Sequence, residues 1–257
     1  MDLPSATRAI VREVPSSFGR ALKPHGSSAV IDVELARRQH RLYCEELQRA
    51  GLSLIRIAAD DSYPDCCFVE DTAIVVGARA VITRPGAASR RGETAAVAQA
   101  IRGLLEIDEV RAPATLDGGD VLTIGKRLYV GMSSRTSRDS LEQLERLVVA
   151  QGYEAVPVEV HDILHLKSAC TYLGGDTIVW RPDLIAEAPF AQLRRITVAE
   201  EEWHAANCLS VNGTVFVPAG APRTRAMIEA AGYRTVELDI SESRKAAGGL
   251  TCSAIVF

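Results

Sequence analysis

Five polar residues, Asp71, Asp117, His165, Asn207 and Cys252, each stand at the mouth of a short apolar run and follow one another at intervals of 46, 48, 42 and 45 positions. Three of these neighbourhoods read as variations on one pattern. Glu70-Asp71-Thr72-Ala73-Ile74-Val75-Val76-Gly77 leads to Ala80-Val81-Ile82, Asp117-Gly118-Gly119-Asp120-Val121-Leu122-Thr123-Ile124-Gly125 leads to Leu128-Tyr129-Val130, and Ala206-Asn207-Cys208-Leu209-Ser210-Val211-Asn212-Gly213 leads to Val215-Phe216-Val217. Each is a strand, a tight turn and a returning strand, usually followed by a helical segment, and Asn212-Gly213 is a strong two-residue hairpin signal. Five such modules around an axis would bring the five polar heads to one mouth, so the chain is expected to form an α/β propeller with pseudo-fivefold symmetry.

Helical periodicity fills the gaps between strand pairs. Val33 to Ala50 reads as a helix with Asp32 as N-cap and Gly51 as its stop, and Arg138 to Gln151 does the same with Ser137 as cap and a Leu141, Leu144, Val148 stripe. Pro222 to Ala231 and Gly92 to Leu105 are two further cases. The closing stretch from Gly248 to Phe257 reads as a glycine pair handing over to a buried strand that carries Cys252.

With 257 residues, 47% of them apolar, the chain can bury a substantial core, and no linker or charge block divides it. One domain spanning 1–257 is expected. The 29 basic and 33 acidic residues are scattered rather than striped and leave a net charge of -4, which argues against nucleic acid or a membrane surface as partner. No apolar run reaches the roughly 18 to 20 residues of a bilayer span, and the first residues carry charges where a signal peptide would be apolar, so a cytoplasmic location is expected. Six cysteines without CxxC spacing in a chain of this size read as reduced thiols.

Cys252 is either core filler or a nucleophile, and its place in the five-residue register favours the nucleophile. A free thiol of pKa about 8.5 is only slightly ionised at neutral pH, so such a cysteine needs a cationic neighbour or a charged substrate. His165 can serve as acid and base, and Asp71 and Asp117 can hold a cation. A rival reading takes His161-Asp162-Ile163-Leu164-His165 as a zinc-binding helix with histidines at i and i+4, but Asp162 stands where such motifs have Glu, and Pro157 with its β-branched neighbours favours a strand. Neither a metal nor a cofactor is expected.

The chain resembles the dimethylarginine dimethylaminohydrolases of the guanidino-group modifying superfamily, whose fold is the pentein-type five-module α/β propeller. The resemblance runs essentially end to end. It is carried by Pro64-Asp65-Cys66-Cys67-Phe68-Val69-Glu70-Asp71, Ile82-Thr83-Arg84-Pro85-Gly86-Ala87 with Ser89-Arg90-Arg91, and Thr115-Leu116-Asp117-Gly118-Gly119-Asp120. Gly131 with Arg135-Thr136, Leu164-His165-Leu166-Lys167-Ser168, Ala206-Asn207-Cys208 and Leu250-Thr251-Cys252 complete it.

The resemblance implies a small guanidino substrate, Cys252 as nucleophile and His165 as general acid and then base, with Asp71 and Asp117 binding the guanidinium. It further implies that Arg90 and Arg135 hold the substrate α-carboxylate, that Asp65 receives the α-ammonium with Glu70 supporting the loop beside it, and that Leu22 belongs to a mobile lid. Lys167 stands where the related arginine deiminases typically carry an acid, which favours a methylated substrate over arginine. Ala247 stands where many family members have an acidic residue, so another guanidino compound remains open as substrate. A non-catalytic propeller used as a binding module is the reading from a different class, and it predicts loss of the nucleophile and acids. A monomer or a homodimer fits the sequence equally well.

Overall fold

The computed structural model describes residues 5–257. Its strands are β1 (Arg8–Arg12), β2 (Ser53–Ile57), β3 (Ala73–Val76), β4 (Arg79–Ile82), β5 (Glu106–Glu109), β6 (Val121–Ile124), β7 (Arg127–Gly131) and β8 (Glu154–Val158). They continue as β9 (Cys170–Gly174), β10 (Thr177–Trp180), β11 (Arg194–Thr197), β12 (Leu209–Val211), β13 (Thr214–Pro218), β14 (Arg234–Leu238) and β15 (Ile255–Val256). The helices are α1 (Val33–Arg49), α2 (Thr94–Ile101), α3 (Arg138–Val148), α4 (Pro222–Ala230) and α5 (Ser241–Lys245).

These strands form five three-stranded sheets of one topology, β3-β4-β5, β6-β7-β8, β9-β10-β11, β12-β13-β14 and β15-β1-β2. In each, an antiparallel pair is followed by a third strand parallel to the middle one. A parallel return requires a crossover, which α1, α2, α3 and α4 provide in four modules. The β10 to β11 crossover uses an irregular segment with a 3-10 turn at Ala188–Phe190 instead. The last sheet joins β15 from the end of the chain to β1 from its beginning, with Ala9 opposite Val256 and Ile10 opposite Ile255.

The hairpins turn where the chain adopts left-handed backbone. Asn212 and Gly213 have φ of 47° and 79°, the pair of positive angles that a two-residue primed turn requires. The crossover helices pack apolar side chains on their sheets; Leu144 and Val148 of α3 are fully buried with Leu128 and Val130 of β7. Asp32 caps α1 by accepting a hydrogen bond from the Leu35 amide at 2.9 Å.

Three local expectations need correction. Ser137 sits at the N-cap of α3, but its hydroxyl accepts from the Thr115 amide at 3.0 Å rather than capping the helix. The closing run is not one strand: Thr251–Ser253 form a 3-10 turn and β15 is confined to Ile255–Val256, so Cys252 lies on a turn. His161 to His165 is non-helical, with Asp162 in left-handed backbone at φ 53°, which removes the geometry of a zinc helix. No helix of the described residues is long and apolar enough to cross a membrane.

Candidate active site

A 3-10 turn precedes the first strand of every module, and each of the five spaced residues lies in or directly beside one. Asp71 is inside Val69–Thr72, Asp117 and His165 immediately precede Gly118–Asp120 and Leu166–Ser168, Asn207 follows Glu200–Ala206, and Cys252 is inside Thr251–Ser253. Four of them, Asp71, His165, Asn207 and Cys252, line one cavity of about 840 Å³.

His165, 5% exposed, is held by carboxylates on both sides. Its Nε2 lies 2.9 Å from Asp117 Oδ2, and its Nδ1 lies 3.8 Å from Asp71 Oδ1. Burial disfavours the imidazolium, but Asp71, the Asp117 hydrogen bond and Asp120 together outweigh it and push the His165 pKa up to about 9. Asp120 also fixes the segment, accepting from the Leu166 amide at 2.9 Å, from Thr136 Oγ1 at 2.6 Å and from Ser133 Oγ at 2.5 Å.

Asp117 is placed differently from the guanidinium clamp expected of it. It is wholly buried behind His165 and does not line the cavity, and its other oxygen accepts from the Gly86 amide at 2.8 Å. Both oxygens are therefore occupied within the protein. Asp71 does face the cavity, anchored by the Gly119 amide at 2.9 Å and by Arg90; burial opposes its charge, but His165 and Arg90 hold the carboxyl below the usual range. The chain passes so close here that a Cβ on Gly119 would lie 2.6 Å from His165 Nδ1 and 2.7 Å from Asp71 Oδ1.

The turn that carries Cys252 is fastened by a network the sequence did not disclose. Asn207 Oδ1 accepts from the Thr251 amide at 3.0 Å, while its Nδ2 donates to Thr251 Oγ1 at 3.0 Å and to the Lys167 carbonyl at 2.9 Å. Thr251 Oγ1 in turn donates to Glu70 Oε2 at 2.7 Å, and Glu70 Oε1 pairs with Lys167 Nζ at 2.6 Å. Glu70 thus braces the Cys252 turn rather than the loop at Asp65. Cys252 Sγ accepts from the Gly249 amide at 3.2 Å. Burial pushes the Cys252 thiol well up, with Glu70 and Asp71 adding to the effect, so it rests as the neutral thiol.

Arg90 lines the cavity but is deeply committed. Its Nε and Nη2 bond Glu93, Nη2 also donates to the Phe68 carbonyl, and Nη1 bonds Asp71. Of a guanidinium's five N–H groups that leaves little for a substrate carboxylate. Arg135 is freer, with Asp117 Oδ2 at 3.8 Å from Nη1. Asp65 is buried on the cavity wall and accepts from the Leu22 amide at 3.0 Å, while the Leu22 side chain stands 41% exposed at the cavity edge. Ala247 lines the cavity in left-handed backbone at φ 57°. Asp71, Asp117 and His165 offer ligand atoms within 4.8 Å of one another, although each is already engaged by hydrogen bonds.

The family model for arginine deiminase matches residues 59–214. The N(G),N(G)-dimethylarginine dimethylaminohydrolase of Pseudomonas aeruginosa is 35% identical over 228 residues, covering 88% of this chain and 90% of that one. The crystal structure of a dimethylarginine dimethylaminohydrolase adduct with S-methyl-L-thiocitrulline superposes with a TM-score of 0.95 at 33% identity, covering 98% of this chain and all of that one. A Pseudomonas aeruginosa mutant with its cysteine replaced by serine, complexed with citrulline, gives 0.93 at 32% identity, again over 98% of this chain and all of that one. Such likeness establishes the pentein α/β fold.

Proposed function

The chain belongs to the dimethylarginine dimethylaminohydrolase family, and from that premise we propose that it hydrolyses Nω-methylated arginine to citrulline and the free methylamine. The observation that carries this reading is the cavity itself, which Cys252, His165 and Asp71 line together, in a fold shared with relatives solved as a citrulline complex and an S-methyl-L-thiocitrulline adduct.

The guanidinium enters first, paired with Asp71. A unit charge at about 4 Å and an effective dielectric near 20 stabilises a neighbouring thiolate by on the order of 4 kcal/mol, or roughly 3 pKa units. The substrate therefore helps ionise a thiol that burial otherwise keeps neutral, and the thiol proton passes to solvent water because His165 already carries its own. The Cys252 sulfur attacks the guanidinium carbon, and His165, charged at rest, protonates the leaving dimethylamine as its C–N bond breaks. A thiouronium adduct remains. Water deprotonated by the now neutral His165 adds to its carbon, the C–S bond breaks, and citrulline departs with the thiol restored. Asp117 acts through His165, as a positioning residue that holds the ring and stabilises its charge. At the other end Asp65 receives the α-ammonium and Arg135 the α-carboxylate, with Arg90 contributing what its remaining donor allows and Leu22 closing over them as a lid.

The same reading takes residues 1–257 as one catalytic domain in which the five modules close into a ring, supported by the pairing of β15 with β1. It places the protein in the cytoplasm as a monomer or homodimer, which six unpaired thiols suit. Incubation with asymmetric dimethylarginine, monomethylarginine and arginine, with citrulline as readout, tests the proposal. Citrulline from the methylated substrates in preference to arginine is expected; turnover of arginine alone would make it a deiminase.

A further inference from the structure

Three residues that hold the Cys252 turn stay out of the cavity. Glu70, Lys167 and Thr251 do not line it, although their chain neighbours Asp71, Ser168 and Cys252 do. They come from three modules, on the turns Val69–Thr72, Leu166–Ser168 and Thr251–Ser253, and Asn207 joins them from a fourth.

The hydrogen bonds of this group leave little choice of where each proton sits. The Thr251 amide can only donate and the Lys167 carbonyl can only accept, so the Asn207 side chain turns Oδ1 to the first and Nδ2 to the second. Nδ2 also donates to Thr251 Oγ1 at 3.0 Å, which leaves the single hydroxyl proton of Thr251 for Glu70 Oε2 at 2.7 Å. Ionised, that oxygen is a strong acceptor; protonated, it competes as a donor. A carboxylate only 7% exposed needs a countercharge to stay ionised, and burial pushes the Glu70 pKa up. Of the groups facing it, Asp71, Cys252 and Tyr43 are neutral or negative, and Lys167 Nζ, 2.6 Å from Oε1, supplies the positive charge.

Resting on the methylarginine reading for the reaction concerned, we propose that Lys167 is a positioning residue, the cation that keeps Glu70 an acceptor for Thr251 and so fixes the nucleophile's turn against the acid's. Lys167 is held at both ends, its carbonyl by Asn207 and its ammonium by Glu70. Its own turn starts from His165, whose carbonyl accepts from the Ser168 amide at 3.0 Å. One residue therefore ties the segment that follows His165 to the turn that carries Cys252. The sulfur and the imidazole act on one carbon and its leaving nitrogen, and the rate of such a step depends steeply on how its groups are oriented. With its ammonium spent on Glu70 and its side chain outside the cavity, Lys167 does not touch substrate, so its loss is felt in kcat rather than in KM.

The test compares the wild-type protein with Lys167→Met, Lys167→Arg, Glu70→Gln and the double variant Lys167→Met/Glu70→Gln. Citrulline release from asymmetric dimethylarginine gives kcat and KM, and hydrogen exchange follows the peptide that contains Thr251 and Cys252. Lys167→Met should lower kcat at least tenfold with KM changed less than threefold, and should speed exchange of that peptide at least tenfold. Lys167→Arg, which keeps the charge, should regain at least a third of the wild-type kcat. Because both substitutions break one link, the loss in the double variant should match that of a single variant rather than their product. Wild-type kcat in Lys167→Met, a KM rise as large as the kcat loss, multiplied losses in the double variant, or Lys167→Arg as slow as Lys167→Met each overturn the inference. Should Lys167→Met fail to fold, the double variant, which buries no lone charge, decides: a tenfold loss of kcat supports the inference and wild-type kcat overturns it. A wild-type protein that releases no citrulline from methylated arginine overturns the methylarginine reading, and the exchange rates then decide by themselves whether Lys167 holds the Cys252 turn.

Discussion

His165 Nε2 meets Asp117 Oδ2 at 2.9 Å in a position sealed from the cavity, while the opposite nitrogen of the ring faces Asp71 at 3.8 Å. The ring is thus flanked by one carboxylate that belongs to the protein alone and one that the substrate can share. Replacing Asp117 by Asn keeps the shape and removes the charge. We expect kcat to fall by about 10² to 10³ with little change in KM, and the alkaline limit of the rate profile to move to lower pH. A KM effect as large as the kcat effect would show that Asp117 binds substrate directly.

The pH dependence follows from the same pair. The folded pKa of His165, about 9, lies above its ordinary 6.5, so the charged ring stabilises the fold fully below pH 6.5 and loses that contribution as pH rises through 9. Activity that needs the imidazolium as acid should decline over the same upper range. Stopped assays from pH 6 to 10 alongside thermal unfolding check both limbs; an activity loss centred near pH 6.5 contradicts the raised value.

Gly119→Ala tests the close approach. Its new methyl would sit against the ring nitrogen and the Asp71 carboxylate, both buried, and such overpacking typically costs about 1–3 kcal/mol. A lowered melting temperature together with near-complete loss of kcat is expected, to be measured by calorimetry and citrulline release.

Asn207 joins the Cys252 turn to the module that carries His165. Asn207→Ala leaves buried partners on Thr251 and Lys167 unmet, at about 1–3 kcal/mol, and should reduce kcat more than Asn207→Asp, which retains the acceptor for the Thr251 amide. Equal losses in the two variants would assign Asn207 to general packing.

The free thiol should remain protonated through neutral pH. Thiolate absorbance in wild-type minus Cys252→Ser spectra should be absent at pH 7 without ligand and appear when a guanidinium compound binds. An unliganded Cys252 already ionised near pH 6 would contradict substrate-assisted activation.

What the sequence made legible was the repeat: the spacing of Asp71, Asp117, His165, Asn207 and Cys252 follows from one strand-turn-strand unit, and such periodicity survives in any linear reading. Hidden were the partners that separate modules supply to one another. Nothing near Glu70 in sequence points to Thr251, 181 positions away, and nothing in Ser89-Arg90-Arg91 shows that the Arg90 fork is spent on Asp71, Glu93 and Phe68. Asp117 was read as a substrate ligand because an acid in register with Asp71 looks equivalent to it; burial behind His165 makes the two unequal.

The central claim is a covalent bond between Cys252 and the guanidino carbon. Rapid acid quench during turnover of asymmetric dimethylarginine, followed by mass spectrometry of the peptides, reads it directly. The account predicts an adduct on the peptide containing Cys252, formed as dimethylamine is released and absent in Cys252→Ser along with citrulline production. Citrulline formation at the wild-type rate by Cys252→Ser would contradict it.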